Sequence, residues 1–243
     1  MSSPKAVDKD QYELFEDVNK PEITYEINPT PYYKKKDTES FSGGVVNFKL
    51  SSKLFHFLED HARERAITKS HYKSFVGSLK ENITHHTYGV VSEYCLNHYI
   101  NDIYKNYGKS EMDMNVYALG DKHSPDIEVE NFGGVGVVST QYGTPNCIPH
   151  IRIGNSRQNV DDTIKTMIEK NTKIVGGFHI ASGYNFIQFF GFAPLAPEEG
   201  YFKNIKYQDN RGIRKYCDAT KAIPATFLLA YMLRQHPSGT CVN

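Results

Sequence analysis

Asp126-Ile127-Glu128-Val129-Glu130-Asn131-Phe132-Gly133-Gly134-Val135-Gly136-Val137-Val138-Ser139-Thr140-Gln141 is the stretch on which the fold turns. Its first half alternates Ile127 and Val129 against Glu128 and Glu130, the period of a strand with one wet face. Gly133-Gly134 reads as a turn, and Val135 to Gln141 as a second, more apolar strand. Together they predict a β-hairpin. Downstream, Ile148 to Ile153 reads as a strand. Asn155 or Ser156 is a candidate cap for a helix over about 157–171, where Val160, Ile164, Met167 and Ile168 share a face. Apolar runs at 173–181 and 185–193 give two more strands. A loop-rich region follows Pro194 and Pro197, and a last helix covers about Ala225 to Gln235.

Upstream, Ser51 or Ser52 caps a helix running to about Ala66, with Leu54, Phe55, Leu58 and Ala62 on one face. A second helical stretch spans roughly 69–81, and a longer one about Thr84 to Tyr107, stopped by Gly108. Asn115 to Leu119 is a short strand candidate. From residue 84 the order is α-β-β-β-β-α-β-β, which suits a central mixed sheet flanked by helices, an α/β (α+β) class. Residues 1–43 read as an extended arm, rich in charge and broken by Pro21, Pro29 and Pro31. Its stretch Ile23 to Ile27 alternates like a strand, able to pair with a neighbour or with the body. The arm reads either as a solvated segment or as a contact for nucleic acid or a second subunit, hence a possible homo-oligomer. Residues 44–243 then form a single α/β domain, within the length one core can support.

The segment Gly89-Val90-Val91-Ser92-Glu93, with Pro125-Asp126 opening a strand and a hairpin partner after it, resembles the restriction-endonuclease-like PD-(D/E)XK nucleases. The resemblance covers about 84–193. It implies a nuclease-like core, DNA as partner, and Mg²⁺ or Mn²⁺ as cofactor. Asp126 would be the central metal ligand and Glu93 the helix-borne one. In such a site the metal acidifies a bound water, and a nearby lysine stabilises the anionic transition state. The chain departs from the pattern where the family carries Glu and Lys, because Gly136 and Val138 stand there. Glu128, two residues along the strand from Asp126, is the candidate replacement carboxylate. Gln141 or Lys122 is the candidate replacement for the lysine. The resemblance therefore implies either a phosphodiesterase with an altered site or a nuclease fold without catalysis. Asp126, Glu128 and Glu130 fit a solvated strand face equally well.

Other signals narrow the classes. His85, His86, His98, His150 and His179 show no short-range ligand spacing, and Cys95, Cys147, Cys217 and Cys241 form no C-x-x-C pair, so a zinc site is not expected. Reduced thiols point to a cytoplasmic protein. The first ten residues lack an apolar run, so no signal peptide is expected, and no stretch approaches the roughly 18 apolar residues of a membrane helix. The charge is balanced at 28 basic and 28 acidic residues, so nucleic-acid contact would need a local patch. Arg63, Arg65, Lys69, Lys73 and Lys80 form one cluster. Lys203, Lys206, Arg211, Arg214 and Lys215 form another, interleaved with Tyr201, Tyr207 and Tyr216, the mixture a backbone-tracking surface uses. A non-catalytic structural or interaction protein on an unrelated fold is the alternative. The richness in Lys, Asn, Ile and Tyr fits an AT-rich genome such as a phage's.

Overall fold

Ser51 starts the helical layer as expected: its hydroxyl accepts the Leu54 N–H at 3.1 Å, and its carbonyl accepts Phe55 N–H at 2.9 Å. The helix it caps, α1 (Ser52–Ser70), buries Leu54, Leu58, Ala62 and Ala66, one residue per turn along a single stripe. The next helix, α2 (Leu79–Lys105), starts earlier than the sequence suggested. Ser78-Leu79-Lys80-Glu81 forms a reciprocal capping box. Glu81 N–H donates to Ser78 Oγ at 3.3 Å, and Ser78 N–H donates to Glu81 Oε2 at 2.8 Å. The structure is a computed structural model. It describes residues 23–28, 44–70, 78–105, 125–129, 132–142, 150–153, 160–181, 183–184, 186–196, 200–202, 206–209, 212–218 and 221–235. The strand expected at 115–119 lies outside them.

The strands are β1 (Ile23–Asn28), β2 (Val45–Leu50), β3 (Ile127–Val129), β4 (Gly133–Tyr142), β5 (His150–Ile153), β6 (Thr172–Ala181), β7 (Ile187–Pro194), β8 (Lys206–Asp209), β9 (Gly212–Asp218) and β10 (Ile223–Pro224). Helix α3 (Val160–Glu169) precedes β6. A short 3₁₀ turn, Ala225–Phe227, leads into α4 (Leu228–Arg234). The main sheet has the order β1-β2-β7-β6-β4-β3, with β10 pairing the far end of β7. Only β4 and β6 run parallel, joined by a crossover that includes α3; the other pairs of this sheet are antiparallel. A second, three-stranded sheet has the order β5-β9-β8. The class is therefore mixed α+β, a mixed sheet flanked by helices.

The main sheet is covered on both faces. On one side Val46, Phe48, Val135, Phe178, Ile180, Ile187 and Phe189 pack against α1, α2 and α4 in the larger core. Phe178 and Phe189 stack there with ring centroids 5.2 Å apart. On the other side Val175, Phe190 and Ala193 meet Ile151, Ile153 and Cys217 of the small sheet, with Ile164 and Met167 of α3 beside them. Burial on both faces explains why β7 has all eight residues buried and reads as a continuous apolar run.

Two expectations change. Gly133 and Gly134 are strand residues of β4, not the hairpin turn, since Val129 pairs with Gly133 and Phe132 N–H closes onto Val129 O at 3.1 Å. A Cβ on Gly134 would collide with the Pro125 ring, which explains the glycine. The loop-rich region contains the β8–β9 hairpin. The middle of the arm, Ile23–Asn28, is the strand its alternation suggested, an edge strand paired along its length with β2. Tyr25 anchors it, donating its hydroxyl to Asp102 of α2 and meeting Tyr99 edge-on at 5.2 Å.

Candidate charged site between the helices and the hairpin

Arg65 of α1 and Glu93 of α2 meet where the two helices pack. One nitrogen, Nη1, lies 3.1 Å from Glu93 Oε1 and 2.9 Å from Oε2, so it straddles the carboxylate. Both side chains keep roughly a fifth of their surface wet, 21% and 24%. Burial works to lower the Arg65 pKa, but the Glu93 charge and hydrogen bonds, with a further contribution from Asp126, outweigh it and hold the guanidinium charged more firmly than usual. Glu93 is thus bonded to Arg65, and the Asp126 charge reaches the same guanidinium as a smaller, longer-range contribution. Gly89 plays no steric part in this: a Cβ there would sit 3.7 Å from Glu93 Oε1, an ordinary contact.

Asp126 has a structural task as well. β3 pairs with β4 only as far as Val135, and one step further on the Val137 N–H donates to Asp126 Oδ2 at 2.6 Å. The carboxylate thereby stands in for strand backbone at the point where the hairpin splays, and the charge makes this a strong bond. Glu128 pairs with Gly134 and is exposed, whereas its neighbours Ile127 and Val129 point into the helix-side core. Glu128 therefore belongs to the other side of β3 from Arg65.

β4 itself settles which positions could serve this site. Val135 and Val137 belong to the helix-side core; Val138 packs on the opposite side, and a Cβ on Gly136 would meet Met167 of α3 at 3.3 Å. Gly136 and Val138 thus lie on the face towards α3, away from Arg65, Glu93, α1 and α2. The helix-facing alternates are Val135, Val137 and Ser139, which bring neither carboxylate nor lysine. The side chain of Gln141, and all of Lys122, lie outside the described residues.

The donor set does not fit an Mg²⁺ or Mn²⁺ ion. Such an ion needs several oxygen ligands at near-octahedral positions, and both Glu93 oxygens are already spent on Arg65. Among the described residues no group of three or more His, Cys, Asp or Glu side chains is placed to hold a metal.

The basic cluster is only partly described. Lys203 and Arg211 lie outside the described residues. Lys206 and Arg214 fall on β8 and β9, opposite Lys215 and Tyr207 in register. Lys215 is 13% exposed and ion-paired with Asp161 of α3, so its charge is engaged inside the molecule. Arg63 and Lys80 are exposed on their helices. Cys95 and Cys217 are buried and in no disulfide, and desolvation pushes the Cys95 thiol far up. No helix among the described residues is long and apolar enough to cross a membrane.

Sequence reasoning missed a polar row on the sheet face away from α1 and α2. Asn47, Gln188, His179 and Thr140 stand opposite one another across β2, β7, β6 and β4. Gln188 Nε2 donates to Asn47 Oδ1 at 2.8 Å, and the Thr140 hydroxyl donates to His150 O at 3.1 Å. Gln188 and His179 are 1% and 3% exposed. The available signal was one polar residue interrupting each of two apolar runs, Phe178-His179-Ile180 and Ile187-Gln188-Phe189. Compared with known protein families, with curated proteins and with solved structures, the chain matches none.

Proposed function

We propose that this chain is a nuclease-like DNA-binding protein whose catalytic half has been lost. The observation that carries the reading is the Arg65–Glu93 pair between the helices, together with Asp126 opening β3 and accepting the Val137 N–H where the β3–β4 pairing ends. A helix-borne Glu, an Asp opening a hairpin, and a parallel partner strand reached through a helix occur in the order that the restriction-endonuclease-like core requires. Catalysis needs more: β4 offers no carboxylate or lysine on the helix side, and Arg65 takes up the carboxylate a metal would use. DNA is the partner proposed, with the clustered basic residues as its contacts, in a cytoplasm that is the host's if the chain is viral.

The test is cleavage of single- and double-stranded DNA with Mg²⁺ or Mn²⁺, run beside Asp126→Ala, together with DNA binding by fluorescence anisotropy at two salt concentrations. The expected result is salt-sensitive binding and no cleavage by either protein. Metal-dependent cleavage abolished by Asp126→Ala would overturn the loss of catalysis and return Asp126 to a catalytic role.

A second reading, a structural or protein-interaction protein, is favoured by the engagement of Lys215 with Asp161 and by the net charge of zero. Absence of DNA binding at low salt, with a stable homo-oligomer in light scattering, would select it.

A further inference from the structure

Among the described residues, two that are not glycine sit at positive φ, Asn171 at 65° and Tyr184 at 57°. Asparagine takes this left-handed conformation readily, because its short polar side chain bonds locally. A bulky ring does not, since the Cβ crowds the following carbonyl. Tyr184 follows Gly183, itself at φ 82°, between the end of β6 and the start of β7. The Tyr184 N–H donates to Ala181 O at 3.0 Å, and the Ala181 N–H donates to Phe186 O at 2.9 Å, which closes the turn. What holds the strained residue there is its side chain. The ring centroid lies 4.5 Å from that of Phe55, in the first turn of α1, and 5.1 Å from that of Tyr88 of α2. The hydroxyl donates to that of Tyr88 and meets the Thr87 side chain. Burial above all holds the Tyr184 phenol protonated well above its usual range, so the donor persists at physiological pH. Tyr88 is buried, whereas Phe55 and Tyr184 are half-buried, so the contact sits at the rim of the helix-side core.

We propose that Gly183-Tyr184 is a strained latch: the docked Tyr184 ring fastens the β6–β7 turn to α1 and α2, and the strain it holds makes this end the place where the helix layer first parts from the sheet. Opening returns Tyr184 to an ordinary backbone conformation, swings its ring into water and uncovers Phe55 and Tyr88. The ring contacts oppose that movement and the backbone favours it, so the turn is poised between two states. The opposite end of the same strand pair supplies the contrast. There Leu195 is buried, and its N–H donates to Lys173 O at 2.9 Å. None of the latch residues belongs to the charged site, so the latch stands or falls apart from the nuclease-like reading.

The test is native-state hydrogen exchange on the full chain, comparing wild type with Gly183→Ala, Tyr184→Phe and Tyr184→Gly. The reporters are the Ala181 and Phe55 amides at the latch, the latter bonded to Ser51 O, and the Leu195 amide at the far end. In wild type the first two are expected to open together and ahead of Leu195. A Cβ on Gly183 meets nothing within 4 Å, so Gly183→Ala adds backbone strain without a clash. It is expected to speed exchange at Ala181 and Phe55 roughly fivefold or more and to leave Leu195 unchanged. Tyr184→Gly relaxes the backbone but deletes the ring, and is expected to speed exchange at Phe55 roughly tenfold. Tyr184→Phe keeps the ring and loses its hydroxyl bond, and should fall between that variant and wild type. An equal change at Leu195 and at the latch amides would overturn the proposal, because the substitutions would then act on global stability. So would Leu195 opening first in wild type, or a Tyr184→Gly protein whose Phe55 amide exchanges as slowly as in wild type, because the ring would then fasten nothing. Should Tyr184→Gly fold poorly, Gly183→Ala and Tyr184→Phe carry the same comparison, and unchanged exchange in both refutes the latch.

Discussion

Acid should unfold this protein partly through one buried imidazole. His179 sits on β6 at 3% exposure, between Thr140 and Gln188 in register and edge-on to the Phe186 ring at 5.4 Å. Burial disfavours the charged form and lowers its pKa from 6.5 to about 4. The folded state therefore takes up its proton later than the unfolded chain does. Stability from this group is fully present above the unfolded value near 6.5 and is lost as the pH falls towards about 4, below which the loss stops growing. A gap of about 2.5 units at about 1.4 kcal/mol per unit gives about 3 kcal/mol, a large share of the roughly 5–15 kcal/mol that holds a domain. His98 of α2, also lowered by burial and partly compensated by Asp102, adds in the same direction. The assay is urea unfolding of wild type and His179→Asn across this pH range, using the difference between the two so that His98 and the carboxylates cancel. The wild-type advantage should shrink by about 3 kcal/mol on acidification. A difference that stays flat across the window, or an NMR titration placing His179 near 6.5, would refute the reasoning.

Two glycines should respond oppositely to alanine. Gly191→Ala drives a Cβ into the Ile223 carbonyl, part of the β7–β10 pairing, and should cost about 3 kcal/mol or more by chemical denaturation, since backbone cannot step aside as a side chain can. Gly89→Ala finds only an ordinary 3.7 Å contact and should stabilise by about 0.5–1 kcal/mol through helix propensity; a destabilised protein would mean that Gly89 has a close neighbour beyond those described. Ser78→Ala removes one half of the α2 capping box and should cost about 1 kcal/mol, read as a lower urea midpoint with unchanged slope.

What was legible in the sequence was whatever depends on one strong local signal. Ser51 ahead of the Leu54, Leu58, Ala62 stripe gave α1, and the apolar runs around Ile174 and Phe189 gave β6 and β7. The β8–β9 hairpin was not legible, because Lys206 to Asp218 carries alternating charge and aromatic residues with few apolar positions, the pattern of a loop. The start of α2 was hidden differently. Ser78 and Glu81 cap each other, but the polar residues after them weaken the periodic signal until about Thr84. Gly133-Gly134 looked like a turn because glycine pairs usually are one. Here the second is required by the approach of Pro125, a contact between residues nine apart that no local rule contains.

The site divides along the same line. Glu93 and Asp126 are linked in the sequence only through the resemblance to the nuclease motif. The ion-pair partner of Glu93 is not legible there, because Arg65 comes from α1 and reads in the sequence as one more basic residue among Arg63, Lys69 and Lys73. Facing was equally invisible. A strand inside a two-sided core has apolar residues at every position, so alternation no longer tells which of Gly136 or Val137 looks towards the helices. That decision is made by packing, with Met167 on one side and the α2 core on the other. The identity of the cation is therefore the sharper question to put to this site than the identity of the missing lysine. A lysine can be sought at several positions, whereas a guanidinium bonded to both oxygens of Glu93 leaves a metal nowhere to bind that residue without first displacing it.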